Sequence, residues 1–365
     1  MNLLEAMRYL TALEHHRHFG RAAQACHITQ PALSNALRAL ESELGVPLVR
    51  RSRQYEGLTV EGEVALAHAH RLLHGAEALR QELASLAGAP RGVLHIGAVP
   101  TAVPVAARFA ARLRARHPGI RPVVQGLSSQ AIETGLESLA LDLALGYVER
   151  HDVAARRLQV LAQYGERYFL VRRLDASDTS AGGAAVAAGA SQATVGNAAV
   201  GGSGSTEGTA GTGGSDESGA VADSLVPGLH FGPPCSWADA ARHPLVMLTS
   251  EMHNRVIVDG ALRGAGAQVA PALETDSVLA LLQAVQDDGA GDLAAVLPGA
   301  LVSVVRSQPG LMAQALVAPV VDTPIGWMTS GTAAPTRALQ AALALAGEPD
   351  WLAHVKLHTG TLTLG

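Results

Sequence analysis

Aromatic residues make up only 3% of the 365 residues, and there are only two cysteines. The first scarcity means that the cores must be aliphatic, built from Leu, Val and Ala. The second excludes a disulfide framework. Cys26 and Cys235 also stand too far apart in sequence for metal-ligand or redox-motif spacing. No apolar run is long enough to span a bilayer. The opening residues MNLLEAMRYL carry Glu5 and Arg8 inside their apolar stretch, which excludes a secretory signal and makes the cytoplasm the expected location. The short catalytic motifs are missing too: there is no nucleophile elbow, no H-E-x-x-H, no Gly-rich phosphate loop and no C-x-x-C pair. The histidines are scattered. His15, His16 and His18 crowd one helix end, and His68 and His70 cannot share a helix face. No catalytic residue, metal site or cofactor is expected, and the chain does not read as an enzyme.

What is present is 48% apolar and 16% charged, ample for two or three domains with their own cores. The net charge of −5 is unevenly spread. Residues 1–60 hold seven Arg against five Glu, with Arg50, Arg51 and Arg53 almost adjacent. Residues 176–224 hold five acids and no base, and 38 of those 49 residues are Gly, Ala, Ser or Thr. Such a segment buries too little apolar surface to offset its ordering entropy, so a disordered insert is expected over about 174–230.

The N-terminal stretch AAQACHITQPALSNALRALE (22–41) gives two short helical patterns joined by a tight turn at Cys26-His27-Ile28. The second helix begins with Thr29 as N-cap and Pro31 in its first turn, and sets Leu33, Leu37 and Leu40 on one side. The other side carries Ser34, Asn35 and Arg38, which suit phosphates and base edges. Two packed helices with a polar face would show the same spacing. The following stretch, ELGVPLVRRSRQYEGLT, favours a DNA reader. Gly45 and Pro47 end the helix, and two short extended pieces, around Val46–Arg50 and Gly57–Thr59, form a wing with its arginines beside the recognition helix.

Thr59 caps a long helix expected to run to about Ala87. Ala65, Ala69, Leu72, Ala76, Leu79, Leu83 and Leu86 repeat at 4-3 spacing, a heptad seam that points to a dimer. Gly88–Gly92 is the expected hinge. Beyond it strands alternate with helices, the pattern of a parallel α/β sheet. Strands are expected at 92–99, 120–127, 141–147, 166–172, 245–248, 272–275 and 293–297, with extended pieces at 311–321 and 326–329. Thr336–Ala346 is expected to be the last helix.

The run RHFGRAAQACHITQPALSNALRALESELGVPLVRR…LTVEGE resembles the LysR-type transcriptional regulators almost position for position. Downstream, GVLHIGAVPTAVP, DLALGY, HPLVMLTSEMHNRVIVDGALRGAG and LETDSVLALLQAVQDDGAGDLAAVLP resemble the same family's effector domain. The resemblance implies a mixed fold. An all-α winged helix-turn-helix would occupy 1–59, a linker helix 60–87, a hinge 88–92, and a two-lobed periplasmic-binding-protein-like α/β domain 93–365. Lobe I would comprise about 93–168 and 310–365, and lobe II about 169–309. It also implies the partners: promoter DNA with a two-fold related site, a small-molecule effector, a second copy as homodimer or homotetramer, and RNA polymerase if the protein activates.

Carried over by position, Thr29, Gln30, Pro31, Ser34, Asn35 and Arg38 face DNA, with Arg51 and Arg53 on the wing. Pro100, Thr101, Ser128, Ser129, Gly146, Tyr147, Thr249, Ser250 and Met252 fall at the effector cleft. Several of these are strand-to-helix junctions, which favour a small organic anion. Asn35 departs from the Arg or Gln common after the recognition-helix serine, so operator preference can differ.

HRHFGRAAQACH also resembles the peroxide-sensing members, which use a pair of effector-domain cysteines. Here that domain has Cys235 alone. No redox sensing by this route is therefore expected of DNA binding, as a mobility-shift assay with peroxide would read it. A response that is lost on Cys235→Ser would refute this.

Overall fold

The computed structural model describes residues 2–51, 55–85, 88–174, 228–332 and 334–359. The chain begins with α1 (Leu3–His16), α2 (Phe19–Ala25) and α3 (Gln30–Leu44). Each start is capped: Asn2 accepts from Glu5 N–H, His18 Nδ1 from Gly20 N–H at 3.1 Å, and Thr29 from Ala32 N–H. Gly45, at φ 74°, closes α3 with its N–H on the Glu41 carbonyl. Leu10, Leu13, Leu33, Leu37 and Leu40 are fully buried and form the three-helix core. Leu3, which shares their spacing, stays exposed at the helix end.

The wing is an antiparallel pair, β1 (Val49–Arg51) and β2 (Tyr55–Leu58), placed slightly differently from the expected pieces. Its position is fixed by α3. The Glu41 carboxylate accepts from Leu48 N–H at 2.9 Å and Val49 N–H at 3.1 Å, charge-assisted bonds that satisfy the backbone where the strand leaves the helix.

Helix α4 (Val60–Ser85) follows, capped by Thr59, whose Oγ1 accepts from Gly62 N–H at 2.9 Å. The expected dimer seam divides along this helix. Ala69 is fully buried, and Ala65 packs beside it, in the core of the chain's own N-terminal domain, because α1 lies along the start of α4. The expectation that the whole seam is free therefore fails at its first two positions. Leu72, Leu79 and Leu83 remain exposed, at 44%, 58% and 60%, with Ala76 half-buried between them. Leu86 lies outside the described residues.

The rest is two sheets. Lobe I orders β4 (Ile120–Gly126), β3 (Gly92–Ala98), β5 (Leu143–Tyr147), β14 (Thr323–Thr329) and β6 (Gln159–Glu166). β3 runs parallel to β4 and β5, and β14 antiparallel to β5 and β6. It is flanked by α5 (Val103–Arg116), α6 (Ser129–Glu137) and the short α7 (His151–Ala155). Lobe II orders β11 (Leu273–Thr275), β10 (Leu245–Leu248), β12 (Ala294–Pro298), β7 (Tyr168–Arg173), β13 (Leu311–Val317) and β8 (His230–Phe231), with β9 (Cys235–Ser236) also on β13. Its helices are α8 (Trp237–Ala240), α9 (His253–Gly264), α10 (Val278–Gln286) and α11 (Gly299–Val302). The chain closes on lobe I with α12 (Arg337–Ala346) and α13 (Pro349–His358).

Three expectations are corrected. The return to lobe I falls after Val317, not at 310, because β13 pairs with β7 in lobe II. β6 is a strand of its own. Helix α13 follows the expected last helix, docked by Trp351, which packs on Phe109 at 5.1 Å and donates to Gln163 Oε1 at 2.8 Å. The insert expected over 174–230 lies almost wholly outside the described residues, although its last residue, His230, is already in β8.

Gly62 marks a close approach between the linker helix and the residue that leads into the wing: a Cβ there would stand 2.0 Å from the Leu48 carbonyl oxygen. Gly62→Ala is therefore expected to cost roughly 1–3 kcal/mol of overpacking, read as a lowered unfolding midpoint in urea. An unchanged midpoint would show that the wing yields freely.

Candidate nucleic-acid interface and ligand cleft

The exposed face of the N-terminal domain is built from the start of α3. Thr29, Gln30, Pro31, Asn35 and Arg38 are all solvent-exposed, and Ser34 is half-buried among them. They share one side because the opposite side carries the three buried leucines, so packing alone turns this face outward. Arg50, in β1 next to the turn of the wing, is also exposed. The backbone of Arg51 pairs with Tyr55, and Arg53 lies outside the described residues. Behind this face, Tyr55 donates to Glu14 and meets Phe19 edge-on at 6.2 Å, tying the wing to α1 and α2.

The second site lies between the lobes. Val99, Pro100, Thr101, Ser128, Ser129, Tyr147, Leu248, Met252, His253 and Asn254 line one cleft. Of the nine positions expected there, six come together: Pro100, Thr101, Ser128, Ser129, Tyr147 and Met252. Three do not. Gly146 alternates with Tyr147 along β5, so a side chain there would face the opposite side of the sheet. Thr249 and Ser250 stand in the turn before α9, where Thr249 N–H is held by the Thr275 carbonyl at 3.1 Å. The helix starts at His253, so its first residues supply the wall instead.

Two facing helix starts meet across the cleft. Ser128 caps α6, accepting from Ala131 N–H at 3.2 Å. The neighbouring Ser129 hydroxyl is buried without a partner, and Asn254, at the start of α9, is buried with its side chain on the Tyr147 and Tyr168 hydroxyls. These donors come from opposite lobes and sit where helix dipoles favour negative charge. Arg150 bridges the lobes at the rim, donating to Glu133 at 2.7 Å and to His253 Nδ1 at 2.9 Å. Burial, then the Arg150 charge, holds His253 below the usual histidine range. The walls lie close together and leave only about 10 Å³ between them, room for about one water.

Behind Tyr147 is a polar cluster that the sequence reading missed. Glu166 is fully buried and accepts from Tyr147 at 3.5 Å, while Tyr147 lies 3.3 Å from Thr101 Oγ1. Tyr164 and Tyr168 complete the cluster; both are buried, with hydroxyls lacking a partner in good geometry. Burial pushes the Glu166 carboxyl up to about 8, partly offset by the Tyr147 hydrogen bond. The signal was present in Tyr-Gly-Glu-Arg-Tyr, whose first, third and fifth residues share a face in extended chain.

Neither thiol is activated. Burial raises Cys26, and burial and then Asp239 raise Cys235. Among the described residues no cluster of His, Cys, Asp or Glu has metal-binding geometry, and no helix is long and apolar enough to cross a membrane.

A winged helix-turn-helix joined through a long helix to a two-lobed α/β domain defines the architectural class. Residues 4–63 match the family model for the bacterial regulatory helix-turn-helix protein, lysR family, and residues 214–348 match the LysR substrate binding domain. The chain belongs to the LysR-type transcriptional regulators. It is 41% identical over 122 residues to the SDS degradation transcriptional activation protein of a Pseudomonas strain, a match covering 33% of this chain and 40% of that protein. It is 40% identical over 101 residues to the DNA-binding transcriptional dual regulator OxyR of Escherichia coli K12, covering 28% of this chain and 33% of that one. The matched stretches therefore span less than half of these relatives. A full-length OxyR variant from Pseudomonas aeruginosa shares the fold at a TM-score of 0.57 and 20% identity, over 94% of this chain and 97% of the other. Full-length CbnR complexed with its target DNA does so at 0.58 and 18%, over 94% and 98%.

Glu166 gives a pH prediction. Its folded pKa lies above the ordinary carboxyl value, so between about pH 4.5 and about 8 the folded state keeps a proton that the unfolded state has released. Raising the pH through that window favours unfolding. The melting temperature of wild type should fall relative to Glu166→Gln across the window and run parallel above it. Parallel curves throughout would place Glu166 in a solvated site.

Proposed function

We propose that this chain is a ligand-responsive, DNA-binding transcription factor of the cytoplasm, not an enzyme. It binds a two-fold related promoter site through paired recognition helices. A small organic anion in the interlobe cleft changes how those pairs are placed. The observation that carries the reading is the coexistence of two sites on one chain: the exposed α3 face with its wing arginine, and a cleft lined by two buried polar side chains at helix starts of opposite lobes, Ser129 and Asn254.

The two sites communicate by differential affinity: the ligand must bind one lobe arrangement better than the other. Because the cleft is nearly filled by its own walls, entry of a ligand requires the lobes to part at their two crossovers. Pairing of two copies falls to the free half of the seam, Leu72, Ala76, Leu79 and Leu83, leaving dimer or tetramer open to sedimentation. RNA polymerase is the further partner if the regulator activates.

Footprinting with and without candidate metabolites tests the reading. A footprint unchanged by every ligand that measurably binds would remove the allosteric part. On the DNA side, Asn35→Ala should change base preference by about 1–3 kcal/mol. Arg38→Ala should weaken binding to all sequences alike if it contacts phosphate. Equal, sequence-independent losses from both would take base reading away from Asn35.

A further inference from the structure

One buried acid stands directly behind the cleft wall. Glu166 ends β6 with no exposed surface; one carboxyl oxygen receives the Tyr147 hydroxyl at 3.5 Å and the other has no partner. Tyr147 itself lines the cleft, 3.3 Å from Thr101, which lines it too. A chain of hydroxyls thus runs from the ligand wall to an acid that water does not reach. A hydroxyl has a single proton, so Tyr147 cannot donate to a ligand and to Glu166 at once.

Resting on the reading of the cleft as an anion site, we propose that Glu166 is a positioning residue that couples ligand binding to its own proton. Neutral, it leaves the Tyr147 hydroxyl free to donate to the ligand's anionic group. Ionised, it holds that hydrogen bond itself. The proton lost on ionisation goes to solvent, so ligand binding at alkaline pH is accompanied by uptake of one proton.

The surroundings single out this acid. It faces Tyr147 from β5, Tyr164 from its own strand and Tyr168 from β7, and it pairs in register with Thr323 of β14. Burial raises all three tyrosines above their ordinary range, so they stay protonated when Glu166 titrates. Across the cleft, Asn254 carries no charge and hydrogen-bonds the Tyr147 and Tyr168 hydroxyls. His253 stacks edge-on to Tyr147 at 4.7 Å and is held low by burial and Arg150, so it is already neutral. Arg150 is engaged by Glu133 at 2.7 Å, with Asp152 at 3.7 Å. The adjoining Arg167–Asp322 pair, at 4.0 Å, is half exposed and screened. Burial, which pushes the Glu166 carboxyl up to about 8, puts its proton within the range of ordinary buffers.

The test has two arms. Infrared difference spectra of the full chain without ligand, wild type minus Glu166→Gln, should show a protonated-carboxyl band at about pH 7 that is gone well above pH 8. Absence of the band at about pH 7 overturns the proposal. Calorimetry with acetate, benzoate, succinate and 2-oxoglutarate forms the second arm. The tightest binder should lose about tenfold in affinity between about pH 7 and about pH 9, because roughly one molecule in eleven stays competent when only the neutral form binds. Glu166→Gln and Tyr147→Phe should each flatten that profile. If Glu166→Gln does not fold, Tyr147→Phe carries this arm. Equal affinity at both pH values, or an unchanged slope in Tyr147→Phe, removes the role of Glu166 and leaves the anion site standing. Failure of all four carboxylates to bind removes the anion reading and this proposal together.

Discussion

The contact between the Leu48 carbonyl and the bare backbone at Gly62 sets the geometry on which the rest of the molecule depends. Backbone meets backbone there, with no flexible side chain between to absorb error. The Glu41 carboxylate pins the same segment to the recognition helix through Leu48 and Val49 N–H. Recognition helix, wing and linker are thereby one rigid piece.

Much of this was legible in the sequence, and for local reasons. Thr29, Pro31 and Gly45 fix the ends of α3 by cap chemistry that needs only a few neighbouring residues. The three buried leucines then determine which side faces out. The cleft was half legible. Pro100-Thr101 and Ser128-Ser129 mark strand-to-helix junctions wherever the sheet places them. Gly146 and Thr249 fail because strand alternation and the turn before α9 decide which residues look inward.

What stayed hidden depended on long-range pairing. Leu311–Val317 and Thr323–Thr329 read alike as extended chain, and only their partners assign them to different lobes. Strand β6 carries Gln159, Gln163 and Gly165 and lacks a clear apolar period, yet it is held along its length by β14. The exposure of the seam was misjudged at Ala65 and Ala69 because small residues suit close packing against any helix, and α1 is nearer than a second copy. Glu166 was passed over although its alternation with two tyrosines was plain; a charged residue in a strand reads as an edge until burial is known. Its carboxyl sits where both crossovers between the lobes pass, so a desolvated acid and the hinge occupy the same few residues.

Strand β5 has one more consequence. All five of its residues are buried, and it is paired on both sides, by β3 and β14. Asp142, just before it, accepts from His95 N–H at 2.7 Å and stands 3.4 Å from His74 of the linker. Tyr147, at its other end, is wall to the cleft. The anchor on the linker and the floor of the ligand site are thus two ends of one inflexible bar.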